Sequence, residues 1–328
     1  MLFRSADNTI SEITNRRYAG TSDIDSRTMR IQLAGKVQRR CNSQNSAAGS
    51  TDNPNTTLST TNAVRAAQAT RPALSSVGMM EAYDPRIAVE GDGPPLVLVP
   101  GMDGTGRLFY RQVPLLARRY RVVTYALRDD AARMDVLLDD LAGVIRATSP
   151  EGGPAIVVGE SFGGAVALSF GLAYSELVSA LVVLNSFPRF LPQLRLRLAI
   201  GALRAMPWRT MALVRRLTAF RLHSRFTHHT EIQRFLEVTK DTRREGYLAR
   251  LKILRTYDVR DRLAELAMPT LFLAAERDHL VPSVRQARAM AACVPRATLA
   301  VLPGHGHICL IAPNVDLERM LHEWRPTQ

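Results

Sequence analysis

A chain of 328 residues with 46% apolar content can hold one large α/β domain plus extra material, or two small domains. Three cysteines, Cys41, Cys293 and Cys309, are too few and too scattered for a disulfide framework or a cysteine zinc site, which points to a reducing, cytoplasmic setting. The net charge of +13 is concentrated, since residues 189–262 hold 18 Lys and Arg against 6 Asp and Glu; with no nucleic-acid-binding module around that block, nucleic acid is not the expected partner.

Residues 1–78 are rich in Ser, Thr, Asn, Ala and Arg and lack any sustained apolar period, so they read as a disordered tail that cannot bury enough surface to offset its ordering entropy. Arg4, Asp7 and Glu12 come too early for the apolar core of a secretory signal, and five acidic residues argue against a transit peptide. No apolar run reaches the roughly 20 residues that a membrane span requires.

Order is expected from about residue 79. A short strand over 86–90 leads through the turn Gly91-Asp92-Gly93-Pro94 into the apolar strand 95–99. The next stretch, Pro100-Gly101-Met102-Asp103-Gly104-Thr105-Gly106, has three glycines in six positions, the mark of a loop whose backbone must come close to something. A helix over 107–118, a strand over 120–127 and an amphipathic helix over 134–148 follow.

The apolar run Ala155-Ile156-Val157-Val158 ends in Gly159-Glu160-Ser161-Phe162-Gly163-Gly164 and continues as a helix over 162–173. Strand, Gly-x-Ser-x-Gly turn and helix together put Ser161 on a tight, strained corner, with Gly159 and Gly163 leaving room for the neighbouring backbone. The Phe162 N–H then lies at a helix N-terminus, aimed at whatever Ser161 attacks. A strand over 178–185 completes a βαβα alternation that calls for a mostly parallel sheet covered by helices on both faces.

From about 187 to 266 the pattern is helical only, with leucines interleaved among the arginines. It is expected to be a helical lid inserted after strand 6, most of whose apolar residues pack onto the body. Its charge suits either a solvated face or attraction to an anionic membrane surface or an acidic acyl carrier. Strands at 269–275 and 297–302 and helices at 282–292 and 315–324 close the domain, which spans 79–328.

A serine hydroxyl is a weak nucleophile and needs a base, itself oriented by a carboxylate. The loop Glu276-Arg277-Asp278-His279 supplies the acid; Asp278 is preferred, with Glu276 second. In Pro303-Gly304-His305-Gly306-His307, His307 is preferred as base over His305 because it enters the segment that leads to the closing helix. Two histidines at i and i+2 without nearby Asp or Cys at ligand spacing do not make a metal pair, and no metal or cofactor is expected. Glu160 and Asp103 are weaker candidates for substrate contact, each more simply a structural carboxylate or a turn residue.

The order Ser161, Asp278, His307, with strand, elbow and lid where they stand, resembles the α/β-hydrolase superfamily from about Arg86 to the C-terminus. The resemblance implies an oxyanion hole made of the backbone N–H groups of Met102 and Phe162, although Pro100-Gly101 stands where many relatives have His-Gly. Over about residues 95–190 the glycine loop and elbow are similar to the branch of phytyl ester synthase-like esterases and acyltransferases. The expected activity is a serine-dependent acyl hydrolase acting on an ester or thioester. Resolution of the same acyl-enzyme by an alcohol, which would make an acyltransferase, and a non-catalytic binding protein on the same fold are the alternatives.

Overall fold

The computed structural model describes residues 86–324 apart from 191–192, 212, 215 and 217–221, so the tail expected over 1–78 lies outside the described residues. Seven strands form one sheet: β1 (Ala88–Glu90), β2 (Pro95–Val99), β3 (Arg121–Thr124), β4 (Ala155–Glu160), β5 (Val178–Leu184), β6 (Thr270–Ala275) and β7 (Ala297–Leu302). Their spatial order is β1-β3-β2-β4-β5-β6-β7. Only β1 runs antiparallel, against β3.

Alternation along each central strand divides the interior into two layers. Val97, Val157, Val183 and Phe272 face one core, with α2 (Met134–Thr148), α3 (Phe162–Ala173) and α7 (Ser283–Cys293). Leu98, Val158, Leu184 and Leu273 face the other, with the short α1 (Val113–Leu116) and α8 (Leu317–Trp324). Strands covered on both faces are apolar at nearly every position, which is why they read as continuous runs; each fully buried Val or Leu contributes about 1.5–3 kcal/mol.

Between β5 and β6 the chain builds α4 (Gln193–Ala205), α5 (His229–Val238) and α6 (Arg244–Thr256). This insertion follows the fifth described strand, not the sixth, because the stretch before β2 contributes a single three-residue strand. It is anchored to the body: Leu196, Ile200 and Leu203 join the α2/α3 core, and the Ile308 N–H donates to Leu222 O at 2.8 Å, while its own two ends are tied together by the Val259 N–H donating to Pro188 O at 2.9 Å. The helix expected over 107–118 is instead a 3-10 turn at Arg107–Phe109 followed by the single turn α1. The strand expected over 120–127 ends at Thr124, since the chain then leaves the sheet to let the Leu127 N–H donate to Gly104 O at 2.8 Å.

The strand order reverses between β2, which is followed by outward β3, and β4 on its other side. In parallel α/β sheets ligands gather in the crevice at such a switch point, beyond the C-terminal strand ends. Here those ends carry the Gly101–Gly106 loop and Ser161.

Candidate active site

Ser161 stands between β4 and α3 with φ 56° and ψ −116°, a conformation sparsely populated for any L-residue and worth about 1–3 kcal/mol of strain. The surrounding glycines hold it there by close approach. A Cβ on Gly159 would fall 2.2 Å from Gly163 O, and one on Gly163 would fall 2.2 Å from Val99 O. The Ser161 N–H donates to Leu184 O at 2.9 Å, and the Ser186 hydroxyl donates to Ser161 O at 2.7 Å. The corner is therefore tied through both backbone groups of Ser161 to the end of β5 and the residues just after it.

Three side chains distant in sequence meet at this corner. His307 Nε2 lies 2.9 Å from Ser161 Oγ, and His307 Nδ1 lies 2.7 Å from Asp278 Oδ2. With Nδ1 protonated toward Asp278, Nε2 is left to accept the serine proton. Asp278 is saturated with donors: its Oδ1 accepts from the N–H groups of Leu280 and Val281 at 2.9 Å each, and its Oδ2 also accepts from the Ser283 hydroxyl.

The electrostatics follow. Burial opposes ionisation of Asp278, but His307 and the donors around it outweigh that, and the carboxyl lies below its ordinary value. For His307 burial disfavours the charged ring, yet Asp278 and Glu160 more than offset it, so its pKa is raised. Glu160, buried beside Ser161, is pushed up to about 7, chiefly by desolvation, with His307 pulling it down and Asp103 and Asp278 pushing it further up. Its Oε1 is buried and accepts no hydrogen bond.

The remaining sequence candidates go elsewhere. Glu276 accepts from the Gly304 N–H at 2.8 Å, and His279 is exposed on the same loop. His305 points away from Ser161: its Nδ1 pairs with the Ser224 hydroxyl at 2.8 Å, and burial, with Arg225 nearby, lowers its pKa to about 4. Asp103 takes the Thr105 N–H and hydroxyl at 2.8 and 2.5 Å, the geometry of a turn residue. Met102 follows Gly101, whose Cβ position lies 4.0 Å from Ser161 Cβ, and Phe162 opens α3, so both backbones flank the serine.

Sequence reasoning missed Asn185, Ser283 and Arg250. Asn185 offered one signal, an Asn directly after a strand, and it takes the left-handed φ of 48° that Asn tolerates. Among the described residues no group of His, Cys, Asp and Glu is arranged to hold a metal ion.

Known proteins resemble this chain over the same region. A "Putative carbamate hydrolase RutD" of Serratia proteamaculans is 28% identical over 246 residues, covering 70% of this chain and 90% of that protein. A "Pimeloyl-[acyl-carrier protein] methyl ester esterase" of Vibrio atlanticus is 28% identical over 245 residues, covering 67% and 89%. Among solved structures, a thermophilic esterase from Thermogutta terrifontis superposes with a TM-score of 0.64 at 24% identity, covering 73% of this chain and 91% of that one, and shares the fold. The profile of the alpha/beta hydrolase family matches residues 96–319, the span that contains the glycine loop, the elbow and the Asp278 and His307 loops, and the chain belongs to that family.

Proposed function

We propose that the protein is a serine-dependent acyl hydrolase of small carboxylic esters or thioesters. The observation that carries this reading is the unbroken line from Ser161 Oγ through the His307 ring to Asp278, with both links at hydrogen-bond length. The esterase among its relatives supports an ester as substrate.

Ser161 Oγ attacks the acyl carbon while its proton passes to His307 Nε2, and the carbonyl electron pair moves onto oxygen. The Met102 and Phe162 N–H groups stabilise that oxyanion, and Asp278 stabilises the imidazolium. Collapse breaks the bond to the leaving group, which departs with the proton from Nε2. Water then repeats the sequence on the acyl-enzyme and releases the acid.

The test is a fluorophosphonate probe with intact-mass analysis, run beside a p-nitrophenyl ester panel of increasing acyl length. Labelling confined to Ser161, and loss of turnover by about 10⁴-fold or more in Ser161→Ala, support the reading. Turnover that survives in Ser161→Ala removes it.

For the insertion the proposed partner is an anionic membrane surface. Residues 177–230 contain nine arginines and no Asp or Glu. On α4, Leu194 and Leu198, one turn apart, are 67% and 64% exposed beside exposed Arg197, and Leu213 further on is 58% exposed. An acidic carrier would engage the arginines alone; exposed leucines among them fit an interface with hydrocarbon below charged headgroups. No helix among the described residues is long and apolar enough to cross a membrane.

A further inference from the structure

We infer that Arg250 is a positioning residue that holds the oxyanion loop in its working shape and makes catalysis depend on the docking of the insertion. The inference rests on the acyl-hydrolase reading above. Arg250 lies on α6, far in sequence from every reacting group, yet its side chain is 1% exposed and reaches the loop after β2. Nη1 donates to Met102 O at 3.2 Å and to Asp103 O at 3.5 Å, and Nη2 donates to Leu127 O at 3.4 Å and Asp129 Oδ1 at 3.0 Å.

The carbonyls it holds belong to the middle of a tight turn. The Gly104 N–H donates back to Gly101 O at 3.1 Å, so Met102 and Asp103 are its two central residues. Gly101 faces Ser161 from this turn. Fixing the Met102–Asp103 and Asp103–Gly104 peptides from behind leaves the Met102 N–H little freedom to rotate away from the nucleophile. An oxyanion donor acts through preorganisation, and displacement by about 1 Å can cost on the order of 10²-fold in rate.

The chain is shaped around this guanidinium. Gly104 has φ +71°, and a Cβ there would fall 2.1 Å from Arg250 Nη2. One turn before Arg250 on α6, a Cβ on Gly246 would fall 1.9 Å from Asp129 Oδ1. Two glycines on different elements thus make space for one ion pair, in which Asp129 balances the buried charge while the carbonyls accept from the two Nη groups. Arginine suits the place because its planar fork serves several acceptors at once, and a lysine ammonium cannot span both pairs. The insertion also touches the other reacting loop, through the Ile308 N–H to Leu222 O. Its docking therefore bears on both the oxyanion donor and the base.

The experiment compares full-length wild type, Arg250→Lys and Arg250→Met on p-nitrophenyl butyrate, with rates expressed per active site titrated by fluorophosphonate, and measures inhibition by an alkyl boronic acid, whose tetrahedral adduct carries the oxyanion. The expected result is a kcat about 10–100-fold lower, KM within about twofold of wild type, and boronate affinity lost in proportion to kcat. General structural damage would reduce the titrated fraction and leave the per-site values alone. Should Arg250→Met fail to fold, Arg250→Lys decides, because it keeps the charge beside Asp129. Unchanged per-site kcat and boronate affinity in a folded variant overturn the positioning role alone. Wild-type protein that neither hydrolyses ester nor takes the label at Ser161 overturns the acyl-hydrolase reading and this role with it.

Discussion

Asn185 donates its side-chain amide to the backbone carbonyl of His307 at 2.7 Å and, through Oδ1, accepts the Ala275 N–H at 2.7 Å. One buried side chain thus joins the end of β5 to the loop after β7 and the end of β6. Replacement by alanine strands a buried donor and a buried acceptor and adds the cost of a left-handed φ on a residue that avoids it. Asn185→Ala is expected to lose about 2–4 kcal/mol in urea unfolding and to lower kcat as the His307 loop loosens. Wild-type stability would show that the amide is dispensable.

The proposed mechanism requires neutral His307, so kcat/KM is expected to rise with pH through an apparent pKa above the ordinary histidine value of about 6.5. Two carboxylates face the ring, Asp278 and Glu160, and both favour its charged form. Because Glu160 itself titrates near 7, the limb belongs to the pair. Glu160→Gln removes one negative neighbour, and the acid limb should then move to lower pH. A limb that stays in place, measured over pH 5–9 with one ester, would remove Glu160 from the electrostatics of His307.

His305 predicts an acid-sensitive fold. Its pKa is lowered to about 4 in the folded protein against about 6.5 when unfolded, so the unfolded chain takes up the proton first. The stability it contributes is fully present above about pH 6.5 and is lost as pH falls toward 4, by about 3 kcal/mol in total. His305→Asn should flatten this slope in unfolding measurements between pH 7 and pH 4.5.

Gly163 admits no side chain. Its Cβ would lie 2.2 Å from Val99 O and 2.7 Å from Pro100 O, both rigid backbone. Gly163→Ala must push the elbow away from β2, at about 2–4 kcal/mol. Ser161 labelling should slow along with the loss of stability, as read by fluorophosphonate kinetics and thermal melts.

Association with anionic vesicles tests the insertion's partner. Binding to phosphatidylglycerol vesicles, weak on phosphatidylcholine, is expected to fall as salt rises, because screening shortens the reach of the arginines. Leu194→Ser with Leu198→Ser should weaken it further at constant charge. Binding indifferent to the leucines, or confined to an acidic carrier protein, would exclude the membrane assignment.

How much of this was legible in the sequence depends on the distance over which each feature is encoded. The β4–Ser161–α3 corner could be read because its strand, its glycines and its helix are contiguous, and local sterics decide the backbone there. The two-layer core could be read for a similar reason: strands buried on both faces are apolar at nearly every position. That Asp278 and His307 would meet Ser161 followed from the rule that ligand-facing groups stand beyond strand ends, a property of topology. Element ends fared worse. Thr124 ends its strand because Leu127 is drawn to Gly104, an attraction that nothing near Thr124 announces.

Composition and local pattern determined by themselves that this chain builds a mostly parallel sheet with a strained serine at one strand end, since burial and backbone sterics act between neighbours in sequence. Only the tertiary structure decided that His305 pairs with Ser224 while His307 faces Ser161, that Asn185 ties the loops together, and that Arg250, one of many arginines in a basic stretch, turns inward to the glycine loop after β2. Those choices depend on donors and acceptors that are far apart along the chain, and a hydrogen bond exists only when folding brings both partners to the same place.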